Sequence, residues 1–269
     1  MLLSDMYRAL QQRVSNPAPD NRLYNIFFLA LRLIKIEFKM NNFKTSDRFF
    51  KWINLQFDSG AFSEDLFPAS WRVSLAYLKG RFEMYHNNLG EARTHLRAAF
   101  ERCLPESTTN QRKILKFLVP VQMNFYVFPS RALLEKYQLN EYIDIAEACQ
   151  EGDMVKFEET LSAHMDLFVH GGVYMAVEKL RQLTLRNLIK KVALVVQTEP
   201  DLQHGANTHI IRLDVVFNIL VKWDSQLDLD ELESLVANQI YMGYVKGYIS
   251  HEKRLLVLAK QDPFPLKID

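Results

Sequence analysis

The sequence predicts a mainly α-helical protein: a right-handed α-solenoid of tetratricopeptide-like helical repeats followed by a C-terminal winged-helix domain. Three observations predict this fold class. Apolar residues recur at helical spacing along most of the 269-residue chain. One pair of helices carries small residues at repeat-like spacing. The segment YMGYVKGYISHEKRLLVLAK holds two short β-type runs around a charged turn. We expect a repeat domain over 1–170, and a linking helix with the winged helix over 171–269.

The first predicted elements are helices. Apolar residues from Leu23 to Phe38 predict a helix that is apolar on nearly all sides, which is typical of a helix buried between neighbours. A helical hairpin follows, with an apolar stripe from Trp71 to Tyr85, a break at NNLG, and a second stripe that ends before Pro105. Four small or apolar residues of this hairpin match tetratricopeptide spacing and allow the two helices a close approach: Gly80, Ala92, Leu96 and Ala99.

Further helices are predicted over 110–126, 130–137, 141–150 and 153–168. Gly152 and Asp153 indicate a helix stop followed by an N-cap. The apolar residues of the last helix form its core stripe: Phe157, Leu161, Met165 and Phe168. A longer helix, over 173–196, links this array to the C-terminal domain.

The order of the C-terminal elements predicts the winged helix. A short β-type run over 209–212 precedes a helix over 213–221, and a second helix begins at Asp228 and ends at Gly243. Asp228 and Glu231 have capping-box spacing. The wing covers about 244–260, and the run over 209–212 supplies its third strand. Alternate residues of the wing face the helices or water: Val245, Gly247 and Ile249 in one set, Tyr244, Lys246 and Tyr248 in the other.

This architecture resembles the PCI domain, which is named for subunits of the proteasome lid, the COP9 signalosome and an initiation factor. The segment YMGYVKGYISHEKRLLVLAKQDPFP resembles the C-terminus of the PCI subunit of the nuclear transcription-and-mRNA-export complex. The segments WRVSLAYLKGRFEMYHNNLGEARTHLRAAFERC and EKLRQLTLRNLIKKV resemble the same family. A signalosome-associated PCI protein is a close relative within it. Members carry further helices before the region that matches from residue 21.

The resemblance implies a non-enzymatic subunit of a nuclear complex that couples transcription to mRNA export, at the nuclear pore and partly in the cytoplasm. It implies two protein partners: a large PCI-containing helical scaffold, joined through adjacent winged helices, and a small acidic disordered subunit shared with the proteasome lid. It also implies non-specific contact with single-stranded RNA or DNA. The alternative is a scaffold subunit of a COP9-signalosome- or proteasome-lid-like complex that has no nucleic-acid role.

Composition and charge limit the classes of protein that fit. Hydrophobic residues make up 48% and charged residues 24%, and nine Gly and nine Pro are too few for a loop-rich all-β fold. The spacing of Cys103 and Cys149 fits buried thiols in a reducing compartment. No signal peptide or membrane span is predicted, so we expect an intracellular protein. Residues 1–140 hold 20 Lys/Arg against 12 Asp/Glu, a surplus that suits an acidic partner or simply a solvated surface.

Basic residues of the wing and of the long helix are the candidate binding residues. In the wing, Lys246, Lys253 and Arg254 suit contact with phosphates. Tyr244 and Tyr248 suit stacking on unpaired bases or contact with a partner, and the alternative is packing in the core.

The long helix carries a second basic set. Lys179, Arg186 and Lys190 recur at steps of seven and four, which predicts one basic side and a possible phosphate track. Arg181 and Lys191 are candidate partner contacts. The alternative for all five is a solvated helix face.

Sequence-specific duplex reading and catalysis are not predicted. The helix that begins at Asp228 also carries Asp230, Glu231 and Glu233 near its start, where carboxylates would repel the phosphates of a major groove. The chain has no Gly-rich phosphate loop, zinc-protease motif or paired-cysteine motif, and we interpret His164 as a core histidine. We therefore predict no catalytic residue, no metal site and no cofactor.

Overall fold

The computed structural model describes residues 21–40, 42–60, 62–63, 67–199 and 208–266, with side chains from residue 25 onward. Leu23, the first residue of the apolar stripe of the first predicted helix, lies outside the described side chains. The first helices run in the predicted order and are α1 (Asn21–Lys39), α2 (Phe43–Asp58), α3 (Ala69–Tyr85), α4 (Leu89–Glu101) and α5 (Thr108–Met123).

Further short helices continue the array. They are α6 (Arg131–Lys136), a 3₁₀ turn at Asn140–Tyr142, α7 (Ile143–Glu151), α8 (Met154–Ala163), α9 (Met165–Gly171), α10 (Tyr174–Glu178) and α11 (Leu180–Thr198). Gly152 ends α7 with a left-handed backbone, and the side chain of Asp153 accepts a 2.9 Å hydrogen bond from the amide of Lys156. The predicted stop and N-cap are therefore confirmed.

The hairpin of α3 and α4 shows the close packing that its small residues predict. A Cβ atom added at Gly80 would lie 2.5 Å from Cγ and 3.1 Å from the backbone nitrogen of Leu96. Leu96, Ala92 and Ala99 are fully buried. Because no side chain larger than hydrogen fits between the two backbones here, glycine sets the distance between the helices.

Aromatic side chains fill the core between α1, α2 and α3. The Phe27 ring stacks 4.0 Å from the Phe67 ring, and the Phe50 and Phe82 rings lie 5.0 Å apart. Two details differ from the predicted elements. Helix α2, whose Phe49, Phe50 and Ile53 are buried, is absent from the predicted elements. Helix α1 is also not buried on all sides, since Leu29 and Ile36 are 38% and 44% exposed.

Two predicted long helices are each broken into two. The helix predicted over 153–168 breaks at His164, which is half-buried, and the break turns Met165 out to 47% exposure. Met165 is therefore not part of the predicted core stripe. The helix predicted over 173–196 breaks at Lys179, between α10 and α11.

The chain forms two compact units, Met1–Leu118 and Val119–Asp269, and their boundary falls within α5. Helices α7 and α8 thus belong to the same unit as the C-terminal sheet. The predicted domain boundary between residues 170 and 171 stays a prediction.

The C-terminal elements form the predicted winged helix. After α11 come β1 (Ile210–Arg212), α12 (Leu213–Leu220), α13 (Leu229–Tyr241), β2 (Gly247–Ser250) and β3 (Leu255–Leu258). The sheet is antiparallel with the order β1-β3-β2, and Leu256 pairs with Ile211 on one side and Ile249 on the other. Strand β1 gives the hairpin its third strand, as predicted. Helical repeats followed by a winged helix confirm the predicted fold class.

Apolar residues of the strands and helices close this domain around one core. Ile211 and Leu256 of the sheet are fully buried, together with Val216 of α12 and Leu232 and Val236 of α13. Helix α11 contributes Ile189 and Val196 to the same cluster. The sheet is therefore held on the helices, and its hairpin turn is carried to the surface.

Candidate nucleic-acid and partner interface

The turn that joins β2 to β3 (251–254, here the wing turn) has a fixed backbone. Arg254 has a φ of 51°, and its amide donates a 3.1 Å hydrogen bond to the carbonyl of His251. The carbonyl of Arg254 accepts a 2.9 Å bond from the amide of Leu213, the first residue of α12. Lys253 and Arg254 are both exposed. The wing turn thus presents two adjacent cations from an anchored backbone.

The wing hairpin depends on Gly247. A Cβ atom at this residue would lie 2.3 Å from the carbonyl oxygen of Val257 on the neighbouring strand. No real side chain tolerates that distance, so β2 and β3 can pair here only through glycine. Gly247 therefore supports the position of the wing turn.

An ionisable pair ties the wing turn to α13. Nδ1 of His251 lies 2.8 Å from Oε2 of Glu233. The hydrogen bond to Glu233 and its charge raise the pKa of His251 above the ordinary value of 6.5. Glu233 thus adds a carboxylate close to the cations of the wing turn.

Lys246 lies at the other end of the hairpin, beside the C-terminal segment. Its Nζ is 3.0 Å from Oδ2 of Asp262, and the two side chains are 53% and 63% exposed. Its amide donates to the carbonyl of Pro263 at 2.8 Å, and its own carbonyl accepts from the amide of Ala259 at 2.8 Å. Asp262 partly neutralises this lysine, although an exposed ion pair of this kind is weak.

The two wing tyrosines differ in exposure. Tyr248 is 63% exposed, as the predicted alternation requires. Tyr244 is only 9% exposed, and burial raises the pKa of its hydroxyl. It precedes β2 and bonds through its amide to the carbonyl of Gln239, so it does not follow the alternation of the strand. This burial favours the alternative, packing in the core, over the predicted contact of Tyr244 with a base or a partner.

Arg186 is not part of a phosphate track. It is 2% exposed, and its Nη1 and Nη2 donate to Asn187 Oδ1 at 2.8 Å and to the Phe264 carbonyl at 2.6 Å. The guanidinium also lies 4.9 Å from the centre of the Tyr126 ring. Burial lowers the pKa of Arg186, and Nε has no hydrogen-bond partner among the described residues. Lys179 and Lys190 are thus separated by a core residue.

Two other basic residues of this region, Arg181 and Lys191, link neighbouring helices. Arg181 binds Glu158 of α8 through Nε and through Nη2 at 3.1 Å, and Glu178 of α10 through Nη1 at 2.9 Å. These carboxylates, Glu158 first, raise the pKa of Arg181. Lys191 Nζ donates to the carbonyl of Glu151 at 3.3 Å. Lys190 is exposed and Lys179 is half-buried. Partner contact by Arg181 or Lys191 would have to compete with these bonds.

The start of α13 is acidic, as predicted, and the capping box is confirmed. The amide of Glu231 donates to Asp228 Oδ1 at 2.7 Å, and the amide of Asp228 donates to Glu231 Oε2 at 3.2 Å. The carboxylates at 228, 230 and 231 therefore occupy the helix end that reads the major groove in many DNA-binding winged helices. This arrangement disfavours a duplex ligand.

Neither a membrane-spanning helix nor a metal-binding cluster is found among the described residues. Within the described ranges, no helix has both the length and the apolar character needed to cross a bilayer. The same part of the chain has no group of three or more His, Cys, Asp or Glu that could hold a metal ion.

Comparison with known proteins identifies relatives across almost the whole chain. PCI domain-containing protein 2 of Xenopus laevis is 33% identical over 266 residues, which cover 98% of this chain and 63% of that protein. The PCI domain-containing protein 2 homolog of Dictyostelium discoideum is 34% identical, covering 98% of this chain and 58% of that protein. The CSN12 homolog of Gibberella zeae is 29% identical, with 93% and 56% covered. No family model matches the chain. The chain spans about three fifths of the length of these relatives.

Proposed function

We propose that this chain, which is a PCI-domain protein, acts as a non-catalytic scaffold subunit that docks partner subunits through its helical repeats and its winged helix. The observation that carries the proposal is the winged helix itself, packed on helical repeats in a chain similar to PCI proteins over nearly its whole length. The helical repeats and the winged helix offer surface for association with other subunits.

We further propose membership of a nuclear complex that couples transcription to mRNA export, located in the nucleus and at the nuclear pore, with some protein in the cytoplasm. Its partners would be a large PCI-containing helical scaffold and a small acidic disordered subunit shared with the proteasome lid. Support comes from residues 241–265, which resemble the C-terminus of the PCI subunit of that complex. In the structure these residues form the wing and the segment after it, and Arg186 donates a hydrogen bond to the Phe264 carbonyl of that segment.

The proposal includes contact between the wing and nucleic acid. Lys253 and Arg254 project from an anchored turn, and Tyr248 is exposed on the adjacent strand. Cations beside an exposed aromatic ring suit a single strand, which offers phosphates and unstacked bases. The acidic start of α13 opposes duplex reading. We expect binding that depends on salt and not on sequence.

The alternative is a scaffold subunit of a COP9-signalosome- or proteasome-lid-like complex that binds no nucleic acid. One observation favours it: carboxylates already accompany the wing cations. Asp262 pairs with Lys246, and Glu233 lies against His251 of the wing turn. The similarity to a CSN12 homolog is compatible both with the export complex and with a signalosome- or lid-like complex.

Native affinity purification of the tagged chain from nuclear extract, followed by mass spectrometry, tests the proposed function. We expect a large PCI-containing scaffold, a small acidic subunit and pore components to be retained at moderate salt. Recovery of signalosome or lid subunits, without a pore-linked scaffold, would support the alternative. Recovery of no PCI-containing protein under the conditions that retain a known PCI complex would contradict the docking role itself.

A further inference from the structure

A cavity of about 580 Å³ lies in the first compact unit, between α1, α3, the end of α4 and the start of α5. Its volume falls within the range of roughly 300–1,000 Å³ that is usual for small-molecule sites. Its floor is apolar, since Phe38, Leu78, Cys103 and Ile114 are all less than a tenth exposed. The cavity therefore has the size and the lining of a ligand site.

Among the described residues, the charged side chains that line this cavity all have the same sign, and none of them is Asp or Glu. Hydrogen-bonding groups accompany the cations, from Ser70, Ser74, Ser107 and Asn110, and the last two lie at the N-terminus of the 16-residue helix α5. The positive end of a helix dipole adds to the attraction for an anion. The lining cations are Lys35, Lys39, Arg81, Arg102 and Lys113.

Two of these cations, Lys35 and Arg81, have unfavourable surroundings. Burial lowers the pKa of Lys35, and the charges of Arg32 and Lys113 lower it further. Its Nζ lies 3.5 Å from Ser74 Oγ, at the limit of a hydrogen bond. The guanidinium of Arg81 lies over three rings, 4.6 Å from Phe117 and 4.9 Å from Phe38 at the closest, and its buried Nε has no hydrogen-bond partner among the described residues. A bound anion would offset the burial and the like-charge repulsion at Lys35.

We infer that this cavity is a binding site for a small organic phosphate, whose anionic group meets Lys35, Arg81 and Lys113 and whose apolar or aromatic body rests on the cavity floor. A phosphate monoester fits better than a carboxylate because it brings about −1.5 to −2 charges and several acceptor oxygens to a cluster of cations. The apolar floor requires more than inorganic phosphate. The residues that line this cavity belong to the first compact unit and those of the wing to the second, so the two proposed sites share no residue.

Isothermal titration calorimetry of the whole chain tests the ligand class with three probes: adenosine 5′-monophosphate, adenosine and inorganic phosphate. We expect the monophosphate to bind about tenfold or more tightly than either of its parts, because charge-assisted hydrogen bonds and apolar contact are both needed. Absence of binding by the monophosphate would overturn the inference. Equal affinity for inorganic phosphate would also overturn it, because the floor would then play no part.

Paired variants test the residues. Lys35→Met/Lys113→Met removes two lining charges while keeping the apolar stems, and Lys44→Met/Lys51→Met removes two exposed charges of α2 that do not line the cavity. We expect the first variant to be at least as heat-stable as the wild type without ligand, because like-charge repulsion is relieved. Its affinity for the monophosphate should fall about tenfold or more, and that of the second should not. Equal affinity in the two variants would overturn the inference, whatever the affinity purification finds.

Discussion

Arg186 donates a 2.6 Å hydrogen bond from Nη2 to the carbonyl oxygen of Phe264, 78 residues further along the chain. The same guanidinium lies 5.6 Å from the Phe264 ring and 4.9 Å from the Tyr126 ring. One buried arginine therefore joins α11 to the C-terminal segment that follows the wing. That segment also accepts the amide hydrogen of Lys246 at Pro263, so Arg186 indirectly supports the base of the wing.

Replacing Arg186 should destabilise the C-terminal unit. We expect Arg186→Ala to lower the free energy of unfolding by about 2–3 kcal/mol, because it leaves buried oxygen acceptors unpaired and opens a cavity. Urea unfolding followed by circular dichroism measures the change. Lys190→Ala is the matched control on the same helix, and its exposed side chain should change stability by no more than about 0.5 kcal/mol. Equal stability of the two variants would contradict the structural role of Arg186.

The wing should not tolerate a side chain at residue 247. We expect Gly247→Val to cost about 1–3 kcal/mol, because β2 and β3 must separate to accommodate the new Cβ. Amide hydrogen exchange of β3 should accelerate in the same variant. Tyr248→Val, at an exposed residue of the same strand, should leave exchange unchanged. Unaltered protection of β3 in Gly247→Val would show that the hairpin does not need this close approach.

The pair of His251 and Glu233 should make the attachment of the wing turn depend on pH. Because the folded-state pKa of His251 is raised, its stabilising contribution is fully present below the unfolded value of 6.5 and is lost as pH rises through the folded value. We expect an NMR titration to give a pKa above 6.5 for His251. Glu233→Gln should move it back towards 6.5, and an identical pKa in both proteins would rule out the pair.

Local patterns in the sequence predicted much of the fold. The capping box of α13 needs only two residues three apart, and both of its hydrogen bonds are present. The close approach at Gly80 follows from the spacing of small residues in a hairpin. The wing follows from alternation over a few residues around a charged turn. Each of these features is encoded within a short stretch, where the partner is close in sequence.

Features that depend on distant partners were not predictable in this way. The spacing of Lys179, Arg186 and Lys190 is that of a basic helix face, but Tyr126 and Phe264 come from far along the chain and cover the middle residue. The helix breaks at His164 and Lys179 were not predicted either, because the spacing of apolar residues alone does not reveal an interruption of the helix. Tyr244 is buried because the chain turns after α13 before the strand begins.

Binding of a single strand to charge-reversed wing variants tests most directly whether the wing contacts nucleic acid. The measurement is fluorescence anisotropy of a labelled oligouridylate of about 15 nucleotides, titrated at several salt concentrations. The test variant is Lys246→Glu/Lys253→Glu/Arg254→Glu. The control is Lys44→Glu/Arg48→Glu/Lys51→Glu, which makes the same change of charge on exposed residues of α2.

We expect the wing variant to lose about tenfold or more in affinity, and its salt dependence to fall by about 0.7 per phosphate contact removed. The control should bind about as tightly as the wild type. If the wing variant binds as tightly as the control, the wing makes no contact with nucleic acid, and the chain is better described as a scaffold subunit without a nucleic-acid role.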